Sequence, residues 1–187
     1  MRVMATEGYD GATTAQIAQE AGLTPGLVHY HFSNKRAILL AMVGELMERH
    51  SGRLEAALVE AGGEAGARLS AFIDVHLAVG ASADPDAVAA WVFVGSESLR
   101  SPEVRAAFAE ALSGTTAKLR EVLELGVSQG VFRPANPGAA AAALMALIQG
   151  YYSVAASARD LIPRGSAAPS ARAMAAGLLG WTPQGSP

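Results

Sequence analysis

Four histidines and no cysteine set narrow limits on the side-chain chemistry of this chain. Without thiols there is no disulfide, no thiolate nucleophile and no cysteine-based zinc site. Gly95-Ser96-Glu97-Ser98-Leu99 starts like a nucleophile elbow but lacks the second glycine and the strand before it. There is no phosphate-cradling glycine loop and no paired metal motif. His29 and His31 lie two residues apart, so on a helix they point to different sides and do not share a metal. The expectation is therefore a non-enzyme with no catalytic residues, no cofactor and no metal. What remains is recognition chemistry. Thr13, Thr14, Thr24, His29, Tyr30 and Lys35 crowd hydrogen-bonding groups into one short stretch, and Trp91 and Glu97 offer a ring and a carboxylate suited to a cationic ligand.

The elements that position these groups read as helices almost throughout. The chain has 187 residues and is 51% hydrophobic but only 6% aromatic, so alanine supplies much of its apolar content and favours helix. No alternating β-branched run appears. A short first helix stops at Gly8; Thr13 or Thr14 caps a second, with Gln16 where a capping box places it. Thr24-Pro25 starts a third that ends near Phe32, with the hydroxyl at the cap and proline in the first position. Ser33-Asn34 caps a long fourth helix with apolar residues at helical spacing, including Ile38, Met42 and Leu46. Leu69, Phe72, Ile73, His76, Leu77 and Gly80 line one face of a fifth. Asp84-Pro85, Ser101-Pro102 and Asn136-Pro137 open three more, and a short last helix follows the loop 163–169.

The net charge of −3 gives no global indication of nucleic acid. No apolar run approaches the roughly 18 residues that cross a bilayer, and no signal peptide is visible. These readings lead to the expectation of a cytoplasmic protein with no membrane partner.

Residues 8–40 carry the most information. Two short helices joined by Ala21-Gly22-Leu23 match a helix-turn-helix, in which glycine permits the left-handed backbone of the sharp turn. Ala18 is small enough for a close crossing, and Ile17, Leu23, Val28 and Phe32 are expected to form the shared core. The run Gly8-Tyr9, Thr13-Thr14, Ile17-Ala18, Ala21-Gly22, Gly26, His31-Phe32, Lys35 and Leu39 resembles the DNA-binding domain of the TetR family. Trp91 through Arg105 also resembles the BetI-like subgroup.

The resemblance implies an all-α fold: an N-terminal three-helix helix-turn-helix domain (1–47), a helical ligand-binding and dimerisation domain (48–181), and a flexible tail (182–187). It implies a dimeric repressor of a palindromic operator in double-stranded DNA, released by a small-molecule inducer. The third helix would enter the major groove, with Thr24, Pro25, Gly26 and Leu27 at its N-terminal end. Leu27 would touch a thymine methyl, while His29 and Tyr30 would bond a base edge or phosphate. Thr14 and Lys35 would contact phosphates. Phe72, His76, Trp91, Phe93, Glu97, Met145 and Tyr152 are the candidate inducer-lining residues. Helices 102–129 and 137–158 are the candidate homodimer surface.

Two features depart from the family pattern. His29 stands where tyrosine is frequent, and the first helix lacks the basic residues that often precede it. Over residues 1–50, Arg2, Lys35, Arg36 and Arg49 face Glu7, Asp10, Glu20, Glu45 and Glu48. That balance suggests a missing upstream segment. It leaves an alternative open, a helical small-molecule-binding protein whose truncated DNA-binding unit no longer works.

Overall fold

The computed structural model describes residues 2–78 and 85–182, and all regular structure among them is helical. The helices are α1 (Arg2–Gly11), α2 (Thr14–Glu20), α3 (Pro25–His31), α4 (Lys35–Glu60), α5 (Ala65–Leu77), α6 (Pro85–Glu97), α7 (Pro102–Ser128), α8 (Pro137–Ser157) and α9 (Ala167–Leu179). A 3-10 turn, Arg159–Leu161, lies between α8 and α9. Gly80, Asp84 and the tail beyond Thr182 lie outside the described residues.

Two compact units emerge, and they do not divide the chain at one point. The first contains residues 1–49 and 84–111; the second contains 50–83 and 112–187. A linear division near residue 47 therefore differs from the compact grouping, which assigns α6 and the start of α7 to the first unit.

The first unit closes around Met4, Ala12, Ala18, Val28, Ile38, Leu39, Val43, Val94 and Val104. Ile17 and Phe32 pack against this core half-buried, as expected. Leu23 does not: it is 45% exposed. The reason lies in the turn. Gly22 adopts φ 68°, its N–H bonds the Gln19 carbonyl, and the Leu23 N–H bonds the Ala18 carbonyl at 2.8 Å. This reversal after α2 leaves the Leu23 side chain outside the core.

In the second unit, Leu54, Leu69, Phe72, Leu119, Leu123, Phe132, Leu144, Ile148 and Leu179 are among the buried residues of one core. Gly126 admits Phe132 to it: a Cβ there would lie 1.9 Å from the ring. The sequence expectation on membranes needs correction at α8. The helix has 21 residues, and its apolar window has a mean hydropathy of 1.4, long and apolar enough to cross a membrane by length and composition. Reading the alanine run alone understated it, because Tyr, Val and Leu extend the uncharged stretch. Ala140, Ala141, Leu144, Met145 and Ile148 nevertheless face the protein core. At the other end of the unit, α9 begins at Ala167 and takes Pro169 into its first turn, where a missing N–H costs no helical hydrogen bond.

Candidate nucleic-acid interface and effector residues

Side-chain caps fix the helix-turn-helix before any ligand is considered. Thr13, not Thr14, caps α2: its hydroxyl oxygen accepts from the Gln16 N–H at 3.2 Å, and the Gln16 side chain accepts the Thr13 N–H at 2.8 Å. Thr14 is then free of capping duty and sits half-buried in the first turn. Thr24 caps α3 by accepting from the Leu27 N–H at 3.3 Å, and Pro25 follows in the first helical position. Asn34 caps α4 by accepting from the Ala37 N–H at 2.9 Å.

Of α3, Val28 alone is buried. Thr24, Pro25, Gly26, Leu27, His29, Tyr30 and His31 all face out, with Leu27 43% and Tyr30 83% exposed. The Tyr30 ring meets His31 edge-on at 5.1 Å between centroids. An exposed face with this much apolar and aromatic surface is what a partner would cover.

Lys35 takes an unexpected place. Its ammonium donates to the carbonyls of Tyr9, Ala12 (2.8 Å) and Asp10 (3.3 Å), and it lies 4.5 Å over the Tyr9 ring. A cation at the carbonyl end of α1 is favourable both by hydrogen bonding and by the helix dipole. Arg36, the next residue, pairs with Glu103 at 3.0 Å.

The candidate effector residues fall into both units. Trp91, Phe93 and Glu97 belong to the first; Phe72, His76, Met145 and Tyr152 belong to the second. In the first, Trp91 is buried against Phe108, with ring centroids 4.6 Å apart, and the buried Glu97 carboxylate accepts from Arg100 at 3.4 Å. Phe93 packs half-buried against the core. The serines after Gly95 form no elbow: the segment lies at the end of α6, and the Ser98 hydroxyl donates to the Gly95 carbonyl at 2.7 Å.

In the second unit, Phe72 and Met145 are core residues. His76 stacks on Phe72 at 4.5 Å and lies nearly parallel to the half-buried Tyr152 at 6.5 Å. Its Nδ1 is 2.7 Å from the Phe72 carbonyl and its Nε2 is 3.1 Å from the Nε2 of His50. A carbonyl can only accept, so Nδ1 carries the proton, and in neutral His76 the Nε2 accepts from His50. Burial, then the neighbouring His50, pushes His76 down to about 3. Burial, then Arg53, lowers His50; burial raises the Tyr152 hydroxyl.

His50 is the residue sequence reading missed. Leu46, His50, Leu54 and Leu58 recur every four residues, so the stripe that marks the inward face of α4 includes a histidine. A crevice of about 220 Å³, counting space open to solvent, has an apolar lining from α5, α7, α8 and α9; of the candidate residues it includes only Phe72.

The family model for bacterial regulatory proteins of the tetR family matches residues 1–42, and the model for the C-terminal region of BetI-type transcriptional repressors matches residues 65–180. An HTH-type transcriptional regulator BetI from Rhizobium meliloti (strain 1021) is 35% identical over 105 residues, which is 56% of this chain and 51% of that protein. The chain thus spans about half the length of the curated relatives it matches. A TetR-family regulator from Rhodococcus sp. has the same fold, with a TM-score of 0.78 at 18% identity over 95% of this chain and 92% of that one. A transcriptional regulator from Saccharomonospora viridis, in complex with choline, matches with a TM-score of 0.77 at 27% identity over 93% of this chain and 88% of that one.

Proposed function

The chain belongs to the TetR family of bacterial regulatory proteins, with a C-terminal region of the BetI type, and on that premise we propose that it is a ligand-responsive repressor. It binds a palindromic operator as a homodimer and leaves when a small molecule occupies it. The observation that carries this reading is α3, a capped helix whose side chains other than Val28 face outward. Residues 1–47 then serve DNA recognition, and residues 48–181 serve effector binding and dimerisation. Thr14, Thr24, Pro25, Gly26, Leu27, His29 and Tyr30 form the DNA face. Lys35 acts beside them by holding α1, and its charge stays near the duplex. Such a protein works in the cytoplasm, where its operator lies.

The dimer surface is best drawn on α8 and α9. On α8, Ala139, Ala142, Ala143, Ala146 and Gly150 are exposed, which suits close helix approach; on α9, Met174 and Leu178 are exposed. The outward side of α7 instead carries Lys118, Arg120, Glu121 and Glu124 in ion pairs. Residues 137–158 thus remain in the proposed interface, and α9 replaces 102–129.

We take the inducer to be a small organic cation, because the S. viridis protein is described with choline. Arg53 bears electrostatically on His50 and His76, which makes that cluster the poorer home for positive charge. Trp91 and Glu97 supply a ring and a carboxylate, and a ligand cation there would take the place of Arg100 on Glu97. Six residues apart on one helix, they stand about 9 Å apart along its axis and roughly 120° apart around it, so they would act as separate contacts rather than as one face. A gel shift against DNA upstream of the protein's own gene, with and without choline, tests the reading. A shifted band that choline releases is expected. No shift favours the alternative, a helical ligand-binding protein with a non-functional DNA-binding unit; a shift indifferent to choline removes the cation.

A further inference from the structure

From Thr24 to His31 the outward side chains are threonine, proline, leucine, histidine and tyrosine. None is Arg, Lys, Asn or Gln, the side chains that bond guanine or adenine edges in two-pronged fashion, and none is Asp or Glu, which accept from cytosine. The major groove offers a further mark to a surface that lacks them: the C5-methyl group of thymine. Leu27 is exposed at the third residue of α3, close to the Thr24 cap, and with Leu23 and Tyr30 it makes three exposed large apolar side chains within eight residues.

Phosphate attraction does little to relieve this dependence. Lys35 already serves backbone carbonyls, and Arg36 is paired with Glu103. Sequence-independent affinity comes largely from cations that neutralise phosphates. A reading face without two-pronged donors, with Lys35 turned to backbone carbonyls and Arg36 in an exposed pair with Glu103, leaves apolar contact as the main source of discrimination.

We propose that this protein reads its operator chiefly by seating thymine methyl groups against Leu27, with Tyr30 adding ring contact and single hydrogen bonds rather than a two-pronged base contact. The inference rests on the DNA-binding reading above and goes beyond it by naming what is read. The occupant of this face is duplex DNA because the match to the tetR-family model covers the whole of α1 to α3.

The test uses duplexes enriched from a random library by the intact chain. Each thymine of the enriched half-site is replaced by uracil, which removes only the methyl group, and binding is followed by fluorescence anisotropy. One or two positions per half-site are expected to weaken binding about fourfold each, the effect of one buried methyl. Leu27→Ala should bind thymine and uracil duplexes alike, while Leu27→Met, which keeps an apolar contact, should retain the discrimination. Uracil duplexes that bind as tightly as thymine duplexes throughout, or a Leu27→Ala protein that still tells them apart, would overturn the proposal while leaving DNA binding intact. Failure to enrich any sequence overturns the DNA-binding reading itself and this inference with it, and α3 would then be a surface for a protein partner.

Discussion

Lys35 in the first unit and His76 in the second are both polar side chains set against apolar neighbours, and the two regions accommodate them in opposite ways. Lys35 keeps its charge, because carbonyls at the end of α1 and the face of Tyr9 compensate it. His76 is held neutral: one nitrogen donates to the Phe72 carbonyl and the other accepts from His50, and burial, then His50, outweigh the Phe72 hydrogen bond that favours a second proton. The unit proposed to meet polyanionic DNA thus retains a cation in its framework. The second unit, at His76, excludes one. In the first unit that placement suits the expected partner, even though the chain's net charge gives no indication of it.

That contrast can be broken most forcefully at Lys35. Lys35→Met removes the shared donor of three carbonyls and should destabilise the protein by about 2–3 kcal/mol, read from denaturant midpoints. DNA affinity should fall with it, since α1 loses its tether. Unchanged stability would mean that the ammonium serves phosphate alone.

Acid sharpens the comparison from the other side. His76 and His50 have folded values below the ordinary histidine value of 6.5, so the unfolded chain takes up protons first as pH falls. The stability they contribute is complete above about 6.5 and is lost progressively below it, until His76 itself protonates at about 3. By pH 5, His76 alone should account for about 2 kcal/mol. His76→Leu should flatten that part of the pH profile, whereas Lys35→Met should leave its slope unchanged. A wild-type profile flat from pH 7 to 5 would contradict the buried neutral pair.

Much of the fold could be read in the sequence because local chemistry decides it. Thr13 with Gln16, Thr24 with Pro25, and Asn34 and Asn136 announce helix starts by residues that bond their own first turns, and the structure has those bonds. What the sequence hid depends on distant partners. Leu23 looked like core by type, but the turn at Gly22 directs it outward. Lys35 looked like a phosphate contact, yet its ammonium finds carbonyls some 25 residues away in the chain. His76 looked solitary until α4 brought His50 against it. Periodicity assigns a side chain to a helix face; it does not say which neighbour waits there. The seven candidate effector residues, chosen by type, divide between two compact units.

The account depends most on α3 presenting its side chains to DNA rather than to its own core, and Tyr30 is where that claim is easiest to isolate. At 83% exposure, Tyr30→Ala should change unfolding stability by no more than about 0.5 kcal/mol. Operator affinity of the same protein, measured on the enriched duplex, should fall about tenfold or more. A variant that loses stability, or one that binds the duplex as tightly as the parent, would contradict the central claim.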